Sequence, residues 1–152
     1  LQSLFDEYSS HHQNSTNVLI HWICVPAIFF SVIGLLASIP PGELPWIGRV
    51  PWAEVVIGVA LLGFYLPRSL TMMFAMAAWS YLCLWLSKYL MVNAPWPLWA
   101  ICLVIFVAAW IGQFYGHKIE GKKPSFLKDL TFLLIGPAWL MAKVMKRVGI
   151  AY

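Results

Sequence analysis

Three stretches of this chain, residues 18–39, 70–92 and 96–115, are each long and apolar enough to cross a bilayer as a helix. A hydrocarbon core about 30 Å thick takes roughly 20 helical residues. In that solvent every backbone N–H and C=O must be satisfied internally, which leaves few folds open. A fourth stretch, 52–66, is shorter and carries Glu54 near its start. It is expected to be a marginal fourth span, paired with the next through Pro67-Arg68-Ser69. Residues 126–143 are apolar but interrupted by Gly136-Pro137. They are expected to form a C-terminal interfacial or re-entrant helix rather than a span. The first 17 residues are polar and hold a short amphipathic helix near 4–12. They contain no signal-peptide apolar core, so insertion is expected to rely on the spans. The expected fold is an all-α integral membrane protein with about four transmembrane helices, an N-terminal amphipathic helix and the C-terminal helix. Residues 1–152 are expected to form a single membrane domain.

Composition excludes the soluble alternatives. Hydrophobic residues make up 61% and charged residues 11%, against roughly 45–50% and about 25% in ordinary soluble domains. A soluble globule of this length cannot hide that much apolar surface, so a soluble enzyme and a free nucleic-acid binder are both excluded. Nucleic acid is not an expected partner; membrane lipids are. Cys24, Cys83 and Cys102 all lie in apolar stretches, as packing residues rather than a disulfide framework.

The charges then fix an expected orientation. With four spans and a cytoplasmic N-terminus, Arg68, Lys118, Lys122, Lys123, Lys128, Lys143, Lys146 and Arg147 fall inside. Only Arg49 and Lys88 fall outside, a clear positive-inside bias. The outer connections, 40–51 and 93–95, are rimmed by Trp46, Trp52, Trp96 and Trp99, as an aromatic belt would be.

The same topology gathers the histidines. His11, His12 and His21 flank the start of the first span, and His117 ends the last one. An even number of crossings returns the chain to the side it left, so all four reach one membrane level. His12 and His21 are nine residues apart, about 13.5 Å along an unbroken helix and half a turn out of phase. Asn14-Ser15-Thr16-Asn17 lies between them and supplies a helix stop followed by N-cap residues. That turn can fold His12 back towards His21. Gln113, His117 and Glu120 follow an i, i+4, i+7 pattern and form one polar stripe; Tyr8 stands four residues before His12. Imidazoles and a carboxylate at membrane depth are costly and point to function. Several imidazoles with a carboxylate suit Zn, Fe, Cu or Ni. His11 points about 100° away from His12 on a helix. Lys122 and Lys123 can hold a substrate carboxylate or serve as topology signals. The tryptophans read as belts and packing.

These residues carry a resemblance. The pattern Tyr8-(x3)-His12-x-Asn14-(x2)-Asn17-(x3)-His21-(x4)-Pro26 resembles the N-terminal signature of a small membrane-protein family of Fe(II)-dependent 2-hydroxy-fatty-acid dioxygenases. Residues 113–124, Gln-Phe-Tyr-Gly-His-Lys-Ile-Glu-Gly-Lys-Lys-Pro, resemble its second signature, and 133–139 with Gly136-Pro137 its third. The Gly121-Lys122-Lys123-Pro124-Ser125 form is similar to the bacterial branch. The resemblance implies α-oxidation, in which a 2-hydroxy fatty acid reacts with dioxygen and yields the fatty acid one carbon shorter. It implies Fe(II) held by His12, His21 and His117, with His11 beside the motif position as a further candidate. Glu120, Gln113 and Tyr8 become the candidate catalytic residues, and Lys122, Lys123 and Asn17 the candidate substrate-binding residues. The implied location is a bacterial inner membrane, or the endoplasmic reticulum in a eukaryote, with the histidines at the cytoplasmic face.

Other classes make different demands. A non-catalytic metal- or lipid-binding membrane protein would tolerate loss of the histidines. A zinc-dependent membrane lipid hydrolase would use Glu120 as base. A haem cytochrome needs two histidines on one helix face at two depths, which no helix here supplies. A di-iron desaturase needs more histidines than the four present.

Overall fold

The computed structural model describes residues 1–10, 12–46, 48–121 and 126–152, with the side chains of 133–152 but not of 126–132 in its last stretch. The chain is mostly helical. Its elements are α1 (Gln2–Ser10), α2 (Ser15–Ala37), β1 (Gly42–Leu44), β2 (Gly48–Val50), α3 (Trp52–Ala60), α4 (Leu70–Asn93), α5 (Leu98–Glu120) and α6 (Phe126–Arg147). Among the described residues α2, α4 and α5 are long and apolar enough to cross a membrane. At most 39% of the apolar stretch of any of the three is buried against protein. Their outward faces carry Leu, Val, Ile and aromatic side chains such as Ile23, Phe74 and Val104, the surface expected of helices that face lipid.

The chain divides into two compact units. The first comprises Leu1–Phe29 and Ile105–Tyr152. Here α1 is amphipathic: Phe5 and Tyr8, three residues apart, are buried while most of its other residues face outward. The buried side packs on α6. Trp139 Nε1 donates to Ser9 Oγ at 2.8 Å, and the Tyr8 and Trp139 rings lie 5.2 Å apart. The sequence-based break at Gly136-Pro137 does not occur, because α6 runs on through Pro137 as one helix of 22 residues. Gly136 has a packing role instead: a Cβ there would stand 3.1 Å from the Tyr8 hydroxyl. Gly112 likewise admits Cys24 Sγ, which would lie 2.7 Å from an added Cβ.

The second unit is Phe30–Val104. It contains a small hairpin absent from the sequence-based expectation. β1 and β2 pair antiparallel, with Glu43 opposite Arg49 and Gly48 at φ +79°, a conformation glycine adopts without strain. α3 continues through a π-helical stretch at Leu61–Tyr65, so this apolar helix is 14 residues long, Trp52–Tyr65. Arg68 closes that stretch, donating from Nη1 to the Phe64 carbonyl at 2.7 Å. Ser69 then caps α4 by accepting from the Met72 N–H at 3.0 Å. Glu54 pairs with Lys88 at 3.2 Å on the exposed face. Gly34 is the close-packing point: a Cβ there would collide with Cys102 Sγ.

Candidate metal centre

The site is built where α1 turns into α2. α1 ends at Ser10, and the His12 N–H is caught by the Ser9 carbonyl at 3.0 Å. Asn14 is the N-cap of α2, its Oδ1 accepting from Thr16 N–H at 2.9 Å. This turn brings His12 back over His21, as the Asn14–Asn17 stop predicts. On the facing helix, α5 ends at Glu120 and Gly121, the latter at φ +72°, a glycine C-terminal stop. The Glu120 carboxylate accepts from the N–H groups of Gln13 at 2.9 Å and Asn14 at 3.0 Å, and from Asn17 Nδ2 at 3.0 Å. A carboxylate at a helix N-terminus is favoured by both the free amides and the helix dipole. Gly116 lets α5 approach here, since a Cβ would collide with Asn17 Oδ1.

Two imidazoles are oriented in the same way. His12 Nδ1 stands 2.6 Å from the Tyr8 carbonyl, and His21 Nδ1 stands 2.9 Å from the Asn17 carbonyl. A carbonyl only accepts, so each Nδ1 carries the proton. In neutral rings both Nε2 atoms then present lone pairs, and these face each other at 2.8 Å. Two facing lone pairs repel unless a proton or a metal ion is shared between them. Metal–imidazole bonds of about 2.0–2.1 Å at a right angle place two nitrogens about 3 Å apart, so the spacing matches adjacent ligands of one ion. His117 completes the group: the ligand atoms of His12, His21 and His117 all lie within 4.8 Å of one another. His12 and His21 are buried and His117 is partly so. The backbone bond at Nδ1 is the contact that fixes tautomer and ring direction in metal-binding histidines. The donor set therefore fits a divalent transition metal.

A cavity of about 50 Å³ adjoins the three rings. It has room for an ion and a few water-sized groups, but not for a long acyl chain. Tyr8, Val25, Ile28, Trp110, Gln113, Leu133 and Pro137 complete its wall. Tyr8 stacks on His12 with ring centroids 4.2 Å apart. The wall is mostly apolar, which strengthens electrostatic interactions inside it.

A family model described as 2-hydroxy-palmitic acid dioxygenase Mpo1-like matches residues 1–148. The chain belongs to the Mpo1-like family. The 2-hydroxy-palmitic acid dioxygenase MPO1 of Saccharomyces cerevisiae is 28% identical over 151 residues, covering 98% of this chain and 82% of the yeast protein. No solved structure matches this Mpo1-like chain.

Of the site residues expected from sequence, the Mpo1-like fold brings His12, His21, His117, Gln113 and Tyr8 to one cavity. Asn17 and Glu120 stand beside it. Asn17 is wholly buried and bonded to Glu120, and Glu120 holds the turn between α1 and α2. His11, Lys122 and Lys123 lie outside the described residues. Lys143 lies over the Trp139 ring at 3.5 Å, and burial, with Arg147 nearby, lowers its pKa. Sequence reasoning did not single out Trp110, Val25 or Ile28, and it met Leu133 only as the start of the third signature. Trp110 had a signal: it stands three residues before Gln113 and seven before His117, on the same face of α5.

Proposed function

We propose that this protein is an Fe(II)-dependent dioxygenase of fatty-acid α-oxidation, converting a 2-hydroxy fatty acid to the acid one carbon shorter. The observation that carries the proposal is the pair of inward-facing Nε2 lone pairs on His12 and His21 with His117 alongside. Membership of the Mpo1-like family and the yeast relative's named activity support the substrate class. The reaction balances with one dioxygen, giving the shortened acid, carbon dioxide and water, so the substrate itself is the electron donor. Fe(II) bound by the three imidazoles would supply the oxygen chemistry and leave positions open for substrate. The protein's part is to hold His12 and His21 by their Nδ1 bonds, to stack Tyr8 on His12, and to keep the cavity apolar. The small cavity takes the 2-hydroxy acid head group, and the acyl chain lies along lipid-facing helix surface. In this reading the chain crosses the membrane four times, with the short helix Trp52–Tyr65 as the fourth crossing and the N-terminus and histidines on the cytoplasmic side; the distribution of Lys and Arg supports that orientation.

The test is turnover by the purified, Fe(II)-reconstituted protein of an even-chain 2-hydroxy acid under oxygen. The expected product is the odd-chain acid, with oxygen consumed in equal amount. Absence of that product from iron-loaded protein would overturn the proposal, and activity with zinc alone would redirect it to hydrolysis.

A further inference from the structure

Trp110 also lines this cavity, as a tryptophan among the histidines and apolar side chains. Its Nε1 is buried and, among the described residues, has no hydrogen-bond partner. Leaving an indole N–H unsatisfied in an apolar wall carries a free-energy cost, and native proteins rarely tolerate it without cause. The ring is held on both sides: the Phe106 centroid is 6.0 Å away and edge-on, and the Phe114 centroid is 5.6 Å away. Both are one helical turn from Trp110 on α5, so the indole is clamped by its own helix. Trp110, Gln113 and His117 stand at i, i+3 and i+7, and all three line the cavity beside His12 and His21.

We infer that Trp110 is a substrate-binding residue, whose Nε1–H donates to a carboxylate oxygen of the acid that enters this cavity. The inference rests on the proposed 2-hydroxy acid substrate and adds a specificity element to it. A carboxylate directing oxygen towards the three histidines has a further lone pair that needs a donor in a nearly dry cavity. A hydrogen bond to a charged acceptor is stronger than one to a neutral acceptor. An indole N–H, which cannot accept, selects the anionic head group over an alcohol or a hydrocarbon terminus.

The decisive experiment is NMR of the full chain in micelles with 15N-labelled tryptophan indoles, zinc-loaded to avoid paramagnetic broadening. The Trp110 signal is identified by its absence in Trp110→Phe. On titration with 2-hydroxyhexadecanoic acid it moves downfield; hexadecanol leaves it in place. In the iron-loaded protein, Trp110→Phe raises KM for the acid roughly ten- to hundredfold, changes kcat less, and leaves metal content at the wild-type level. A Trp110 signal that stays fixed through the titration overturns the inference, as does an unchanged KM in Trp110→Phe. Where Trp110→Phe fails to fold, the Trp110 signal is assigned by elimination from single Trp→Phe variants at the other eight tryptophans, and the titration is read in the wild-type protein. It is also independent of turnover: a shifted signal without product would remove the dioxygenase proposal and keep the Trp110 site, whereas product with a fixed signal would do the reverse.

Discussion

The unit formed by Leu1–Phe29 and Ile105–Tyr152 buries His12, Asn17, His21 and Gln113, whereas Phe30–Val104 buries Ser31, Ser80 and Ser87. Ser87 on one side and His12 and His21 on the other use the same local device. Ser87 Oγ donates to the carbonyl of Cys83, four residues back, at 2.8 Å. His12 and His21 also use the carbonyl four residues back, through Nδ1. A hydroxyl that has made this bond has no further proton to place and can sit in an apolar helix face at little cost. An imidazole that has made it still has Nε2, a lone pair that must meet a proton, a water or a metal. The same backbone bond thus satisfies the Ser87 hydroxyl, whereas at His12 and His21 it leaves Nε2 directed into the site.

The largest expected contrast comes from removing those side chains. His21→Ala, His12→Ala or His117→Ala should abolish stoichiometric iron and lower turnover by more than about 100-fold, since removing even a residue that only supports a ligand costs roughly 10–100-fold. Ser87→Ala should leave both unchanged and shift stability by no more than about 1 kcal/mol. Elemental analysis and oxygen uptake on the four variants read this directly. A His21→Ala protein that keeps its iron would erase the distinction between the units.

Crowding variants sharpen it. Gly34→Ala drives a Cβ into Cys102 Sγ, and Gly116→Ala drives one into Asn17 Oδ1. Each should cost about 1–3 kcal/mol as overpacking. Only Gly116→Ala should also weaken metal binding, because Asn17 carries the carbonyl that orients His21. Thermal melts with and without metal separate the two effects: the metal-dependent gain in Tm should survive in Gly34→Ala and shrink in Gly116→Ala.

The smallest expected effect is at Glu120. Its carboxylate collects the amides of Gln13, Asn14 and Asn17, so it positions the turn that carries His12. Glu120→Gln keeps the size but removes the charge, and it should lower iron affinity roughly tenfold, with kcat of the fully loaded enzyme nearly unchanged. A kcat that falls while affinity holds would show instead that Glu120 acts on the substrate.

Sequence made the histidine pairing legible because Asn14-Ser15-Thr16-Asn17 announces a stop and a new cap within a short reach. The long apolar helices were equally plain: α2, α4 and α5 fall on three of the four stretches expected to span, and the fourth, 52–66, forms the shorter helix Trp52–Tyr65. The hairpin at Gly42–Val50 was not, since six paired residues rich in Gly and flanked by Pro leave no alternating pattern to detect. α6 passes through Gly136-Pro137, and Gly136 there admits the Tyr8 hydroxyl, a tertiary packing role that a propensity for helix breaking does not reveal. Glu120 stood out as part of a polar stripe, but its partners are more than 100 residues away in sequence. Trp110 was read with the other tryptophans as packing; that its buried N–H has no partner among the described residues became visible only with the folded wall around it.

The central claim is that His12, His21 and His117 hold one iron. Iron K-edge X-ray absorption on purified protein, reconstituted anaerobically with Fe(II), tests it most directly. The account predicts one iron per chain with a nitrogen shell whose outer scattering is that of three imidazoles, lost in the His12→Ala, His21→Ala and His117→Ala triple variant. Protein that takes up no iron, or a spectrum unchanged in the triple variant, would contradict it.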